Sequence, residues 1–403
     1  MALSAFNTVV SDYAGSPYRK KALLKRGLVE YRMGNYDEAI ATYKSVVSDY
    51  GVDAESSEAI ATLKSIYLDL GKVDEFSDWL TEVPDYEVSP SEMDSLSYQS
   101  AENAVASGNC DKAIPAFQNY LEEYPNGLFT INANYYIADC AYRKNNFDLA
   151  IKGFEYVAEK RANQFSEPAL LGAASIRYSQ ENYEKAIRHY RKLKDVATFE
   201  TNVLEAEIGI MRCAYELGNY DEALRAGEVV ISASNTPEGI GVEAKLLKAR
   251  ILLDSKKLNE AEVLFTELSE KKNAKEGAES QYRLAEIAYQ QEKLDLAEDR
   301  IFKVVQEFPS YNYWKIKAFL LLADVYRDRE DFFQSRATLE SIVNNVTDTA
   351  FVKTAREKLD ELDRLENAKL ETTDGASGAD TLDYEEDYKE LMDDESNQQN
   401  DEK

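Results

Sequence analysis

The sequence predicts an all-α chain, an α-α superhelix of about nine helical hairpins with a half repeat before them and a capping helix after. Three observations predict it. The decapeptide YRMGNYDEAI (31–40) returns as YELGNYDEAL (215–224) with seven of ten letters unchanged. Weaker copies begin at Leu68, Val105, Tyr142, Tyr178, Leu253, Tyr289 and Arg327, so nine copies follow one another in steps of 36 to 38 residues. A constant period in this range is the mark of stacked repeats. Small and large residues also recur at fixed offsets within every copy, as buried helical stripes require.

Residues 1–15 come first. ALSAFNTVVSDYAGSP after Met1 parallels AIATYKSVVSDYGVDA from Ala39. They read as the second half of a truncated repeat, and the chain as part of a longer protein with any export signal upstream. Residues 16–347 hold the nine repeats. Ser16-Pro17 suits a helix opening, with a hydroxyl cap and a proline at the first helical position.

Each decapeptide reads as the turn of a hairpin. Gly34, Gly71, Gly108 and Gly218, with Asn145 in the fourth copy, stand where a first helix would close in the left-handed conformation. Acids follow at once, as in Asp37-Glu38 and Asp221-Glu222, where they oppose the positive end of the second helix's dipole. Five residues after the turn residue come alanines such as Ala39, Ala150 and Ala223. Seven before it come Gly27, Ala138 and Ala285, expected to face those alanines across the hairpin. Large apolar residues occupy the positions two and twelve after the turn, as in Tyr36, Phe147, Val46 and Val157, and are expected in the core.

The second copy is irregular, with Lys64 and Phe76 where small residues belong. PDYEVSPSEMDS (84–95) follows, with two prolines, and a kink is expected there. Residues 348–370 contain FVKTAREKLDELDRLENAKL (351–370), an amphipathic segment suited to a capping helix. Residues 371–403 carry 13 acids and 2 lysines and read as a disordered acidic tail. Within it Tyr384, Tyr388, Leu391 and Met392 form one helical stripe, which leaves docking on a partner or on the chain's own groove open beside plain disorder.

The turn residues, the small residue of the first helix and the aromatic nine after the turn (Tyr43, Phe117, Phe154, Tyr190, Phe265) make the chain resemble the tetratricopeptide repeat (TPR) proteins. The resemblance covers residues 1 to about 345. It implies a helical scaffold for other proteins or extended peptide segments. Connectors such as YPNGLFTINA (124–133), with aromatics at Tyr18, Phe129, Phe165 and Trp314, are similar to those of bacterial envelope TPR proteins of the barrel-assembly lipoprotein and Tol-Pal-associated coordinator types. That likeness implies a periplasmic or outer-membrane-associated place, with the cytoplasm as the alternative.

Composition limits the partners. A net charge of −28 disfavours nucleic acid and anionic membrane surfaces. No run of 18 or more apolar residues exists to span a membrane. Three cysteines, Cys110, Cys140 and Cys213, are expected as buried thiols, with one Cys110–Cys140 bridge left open because the two lie in adjacent units. His189 is the sole histidine and reads as solvated or half-buried structure. No nucleotide-binding, metalloprotease or nucleophile-elbow motif occurs, and no cofactor, metal or catalytic residue is assigned. The chain reads as non-enzymatic.

What remains is the face built from the first helices. The row three before the turn includes Tyr31, Tyr142, Tyr178, Tyr215 and Tyr289, candidate contacts for a partner or, equally, packing between repeats. The row six before it includes Glu102, Asp139, Arg212 and Arg250, with Glu286 and Asp324 beyond. Read alone, it is either a basic centre in an acidic channel or two solvated arginines with carboxylate neighbours. Proteins of this family that clamp a terminal carboxylate place lysine and asparagine in two of these rows; neither is present. The function expected is a protein-binding scaffold of a bacterial cell envelope. The alternatives are a self-oligomerising structural segment and a regulatory module of a larger protein.

Overall fold

The computed structural model describes residues 1–86 and 89–373, and every regular element among them is an α-helix, twenty in all. The chain divides into two compact units, Met1–Lys248 and Ala249–Lys403. In the first, α1 (Ala2–Asp12) packs on α2 (Arg19–Arg32), which pairs with α3 (Tyr36–Tyr50). There follow α4 (Ala54–Leu70) with α5 (Val73–Thr81), α6 (Pro90–Ala106) with α7 (Cys110–Glu123), and α8 (Thr130–Arg143) with α9 (Phe147–Glu159). Then come α10 (Ser166–Ser179) with α11 (Tyr183–Val196), and α12 (Glu200–Glu216) with α13 (Tyr220–Ser232). The division falls within α14 (Glu238–Asp254). The second unit continues with α15 (Leu258–Ser269), α16 (Lys275–Gln290), α17 (Leu294–Glu307), α18 (Asn312–Asp328), α19 (Phe332–Asn345) and α20 (Thr349–Thr373). Consecutive helices form antiparallel hairpins, and each hairpin packs on the next within its unit.

The turns carry the period into the backbone. Gly34, Gly71, Gly108, Asn145, Glu181, Gly218, Lys256, Glu292 and Glu330 all have φ between +57° and +79°. After each, the next amide donates to the carbonyl five residues back, from Asn35 to Glu30 through Asp331 to Tyr326, at 2.8–3.0 Å. This is the bond that closes a helix through a left-handed residue. Asn109, Asn146, Asn182, Asn219 and Asp331 then cap the second helix, their side chains accepting the amide three residues on.

One local expectation is corrected and another widened. The Ser16-Pro17 opening is a turn in which Ser16 Oγ accepts the Tyr18 amide, and the helix begins at Arg19. The small residues seven before the turn meet residues eight and nine after it as well as the small row five after: a Cβ on Gly27 would meet the Tyr43 ring at 2.9 Å, Ala138 lies beside Gly153, and Ser335 Oγ donates to the Ala323 carbonyl at 2.8 Å. The second copy absorbs its large residue, since Phe76 is buried among Leu63, Tyr67 and Leu80. After it, Pro84 and Asp85 form a turn, residues 87–88 lie outside the described stretch, and Ser89 caps α6 with Pro90 at its first position.

The cysteine expectation changes as well. Cys110 and Cys140 form a disulfide with Cα atoms 5.3 Å apart, which takes the alternative that the sequence left open. It joins the first residue of α7 to α8, fastening one hairpin to the next. Cys213 is a buried free thiol, and burial pushes its pKa up to about 12. The tail stripe at 384–392 lies outside the described residues.

Candidate protein-binding face

The first helices also carry a row ten residues before the turn, including Tyr98, Tyr135 and Tyr282, and it is packing. Tyr98 stacks on Phe129 at 4.3 Å between ring centroids, Tyr135 on Phe165 at 4.5 Å, and Tyr282 contacts Trp314 at 5.4 Å. In each case a first-helix tyrosine meets the connector aromatic that opens the next hairpin. The recurring connector aromatics are therefore joints. Tyr18 stacks on no such tyrosine among the described residues and is 69% exposed.

A network at one connector was not visible in the sequence. Buried Asp94 accepts from Tyr120 Oη (2.5 Å) and from the Leu128 amide (2.6 Å), while Tyr120 Oη accepts the Phe129 amide (3.0 Å). The carboxylate and phenol thereby replace the backbone partners that a helix would give the YPNGLF loop.

The row three before the turn is placed at the mouth of each hairpin. Tyr31 contacts Tyr36, Tyr142 contacts Phe147, Tyr178 contacts Tyr183 and Tyr215 contacts Tyr220, with centroids 5.5–6.0 Å apart. The outer rings Tyr36, Tyr142, Phe147 and Tyr220 are 37–40% exposed. Tyr31 donates to Asp69 across hairpins at 2.9 Å, which with partial burial raises its pKa. Tyr289 donates to Asp328 at 2.5 Å and accepts from Arg327 at 3.1 Å; burial first, then that carboxylate, raises its pKa.

The charged residues of the row six before the turn are each paired. Arg212 donates through Nε and Nη2 to both oxygens of Glu243, and Arg250 does the same to Glu279, at 2.5–2.7 Å. Hydrogen bonding to Glu243 raises the Arg212 pKa. Glu102 accepts from Tyr98 Oη at 2.9 Å, and Asp139 pairs with Arg143 at 2.6 Å. Further on, Glu286 pairs with Arg283, and Asp324 with Lys358 and Arg327. Of the two readings of the arginines, the geometry matches the one with carboxylate neighbours.

His189 is half-buried with Nε2 3.4 Å from Glu155 Oε1, the carboxylate that Arg177 grips bidentately at 2.8 Å. Burial lowers its pKa. Among the described residues no group of three or more His, Cys, Asp or Glu side chains is placed to hold a metal ion, and no helix is long and apolar enough to cross a membrane.

Family models of the tetratricopeptide repeat match residues 98–167 and 246–312, and a second model of the same repeat matches residues 21–51. The chain thus contains tetratricopeptide repeats, and the matched stretches carry the turns and capping residues described above. No curated protein matches the chain in sequence. Among solved structures, the C-terminal part of a TPR repeat-containing protein from Cytophaga hutchinsonii is 20% identical over 64% of this chain and 98% of its own, with a TM-score of 0.46. A tetratricopeptide repeat protein from Parabacteroides merdae is 14% identical over 65% of this chain and 97% of its own, at 0.38. Yeast Tom70 is 14% identical over 91% and 85%, at 0.35.

Proposed function

We propose that the chain is a non-enzymatic scaffold that holds an extended segment of another protein along its first-helix face. The observation that carries this is the tyrosine row, whose ring pairs recur at the hairpin mouths and stay partly exposed. Tyrosine offers large amphipathic contact area at low entropic cost. The polar rows beside it are held by ion pairs, so the face is preorganised and binding need order little of it. The charged residues six before the turns are paired in structural rungs.

The compartment belongs to the same proposal. A scaffold of a bacterial cell envelope, outside the reducing cytosol, fits a bridge between Cys110 and Cys140, because such bonds persist where thiols are oxidised. Photo-crosslinkers placed at Tyr178 and Tyr215 in cells that carry the chain natively test the scaffold reading. Adducts to a different protein are expected. Adducts only to a second copy of this chain would replace it with the self-oligomerising reading. Quenching the cells in acid and alkylating free thiols after denaturation tests the compartment: one labelled cysteine per chain is expected, and three would place the chain in a reducing environment.

A further inference from the structure

We propose that the hairpin mouths of α8 to α13 form a docking edge for an extended cationic polypeptide segment, with a lysine or arginine at every third residue. The proposal rests on the scaffold reading above and names the partner's chemistry. Three consecutive aromatic pairs line this edge: Tyr142 with Phe147, Tyr178 with Tyr183 and Tyr215 with Tyr220. Of these rings Tyr142, Phe147 and Tyr220 are 37–40% exposed, and an exposed ring face attracts a cation that approaches within about 6 Å.

Charge complements the rings. Asp148, Glu181, Glu184, Glu216 and Asp221 lie exposed beside the pairs and take part in no ion pair among the described residues. The cations of the same edge are mostly committed: Arg143 to Asp139, and Lys144 to Asp111. Lys185 is exposed, and the five carboxylates outnumber it. This reverses the arrangement deeper in the face, where Arg177 and Arg212 are each neutralised by a bidentate glutamate. An acidic or apolar segment would leave these exposed carboxylates unanswered, whereas a cationic one answers both rings and acids.

The spacing sets the register. Consecutive mouths follow first helices that lie side by side, as α10 does on α12; helices so packed lie roughly 8–10 Å apart, and an extended chain advances about 3.3 Å per residue. Side chains three residues apart therefore meet consecutive mouths.

The test uses the full chain and two labelled peptides that differ only in carrying lysine or glutamate at every third position, in a serine-glycine background. Fluorescence anisotropy is read for wild type, for Tyr178→Leu/Tyr215→Leu and for Glu181→Gln/Glu216→Gln, with circular dichroism as the folding control. The lysine peptide is expected to bind wild type and the glutamate peptide not to. The tyrosine variant, whose charge is unchanged, is expected to bind about tenfold more weakly. Equal binding of both peptides, or lysine-peptide affinity untouched by the tyrosine variant, overturns the proposal, the latter by reducing the attraction to net charge alone. Moving the lysines to every fourth position supplies a second arm, and undiminished affinity there removes the proposed register. The crosslinking described above is blind to the partner's charge, so the scaffold reading stands or falls separately.

Discussion

Arg212 and Glu243 face each other across two hairpins, with Nε and Nη2 2.7 and 2.6 Å from the two carboxylate oxygens. A fork of this kind fixes direction as well as distance, so it sets how the backbone at Glu243 lies against α12. Both side chains are about one-third exposed, which keeps the contribution small. Arg212→Ala is expected to lower stability by about 0.5–1 kcal/mol, with the Arg212→Ala/Glu243→Ala double variant losing less than the sum of the two single changes. Denaturant midpoints of the four proteins check this; strict additivity would mean that the pair does not interact.

The left-handed turn residues allow a change in the other direction. Glu181, Lys256 and Glu292 hold φ near +60°, a conformation that costs a residue with a Cβ about 1 kcal/mol and a glycine little. Lys256→Gly and Glu292→Gly are each expected to raise the denaturant midpoint slightly, the gain reduced by the freer unfolded chain. Gly218→Ala, at φ +71°, is expected to cost about 1 kcal/mol. A midpoint that falls in both glycine variants would contradict the turn geometry.

These turns were legible because their chemistry is local. Glycine or asparagine, an acid and a small residue within ten positions define the hairpin mouth, and thirty-seven residues later the same letters define it again. Where the letters depart, as at Glu181 and Lys256, the period still located the turn although the residue type did not predict its backbone. The joints between hairpins were harder to read. Arg250 meets Glu279, and Cys110 meets Cys140, only after two hairpins have stacked, and no short motif encodes that distance. The tyrosine row is visible, but its second ring, two residues past the turn, reads from the sequence as core alone. In the structure it is half-exposed and completes the pair.

The buried network at the third connector gives a sharper test of packing. Tyr120 is fully buried, and its hydroxyl both donates to Asp94 and accepts the Phe129 amide. Tyr120→Phe keeps the ring and leaves the amide and carboxylate one partner short, at an expected cost of about 1–3 kcal/mol. Hydrogen exchange should show the amides of Leu128 and Phe129 losing protection. Unchanged exchange at both would mean that the network does not hold the loop.

Stability in acid should depend on Asp53. Its carboxylate accepts from Lys20 Nζ and from the Ser56 amide, which together hold its pKa down at about 2. The folded value lies below the unfolded one, so the contribution is fully present above pH ~4 and is lost as pH falls through about 2. Wild type should melt above Asp53→Asn at neutral pH, and the gap should close between pH 4 and 2. Asparagine keeps the helix cap, so a gap that stays constant over that range would assign the loss to something other than this charge.

The Cys110–Cys140 bridge makes the largest expected difference. It closes a loop across a sequence separation of 30, and a closure of that size restricts the unfolded chain by about 3–4 kcal/mol if native geometry is unstrained. Cys140 is 1% exposed, so an attacking thiolate must approach through Cys110 at the start of α7. The bond should therefore resist mild reductant while the chain is folded and yield once it is unfolded. Cys110→Ala/Cys140→Ala is expected to lower the denaturant midpoint by an amount equivalent to that restriction, with the helical signal at low denaturant little changed, since α7 and α8 keep the Phe117, Tyr120 and Ile137 core. Adding dithiothreitol to folded wild type should leave its melting curve near the oxidised one at short times and move it towards the double variant only after partial unfolding. If reductant acts at once on the folded chain, the bridge is exposed, and the joint between α7 and α8 opens far more readily than its burial implies.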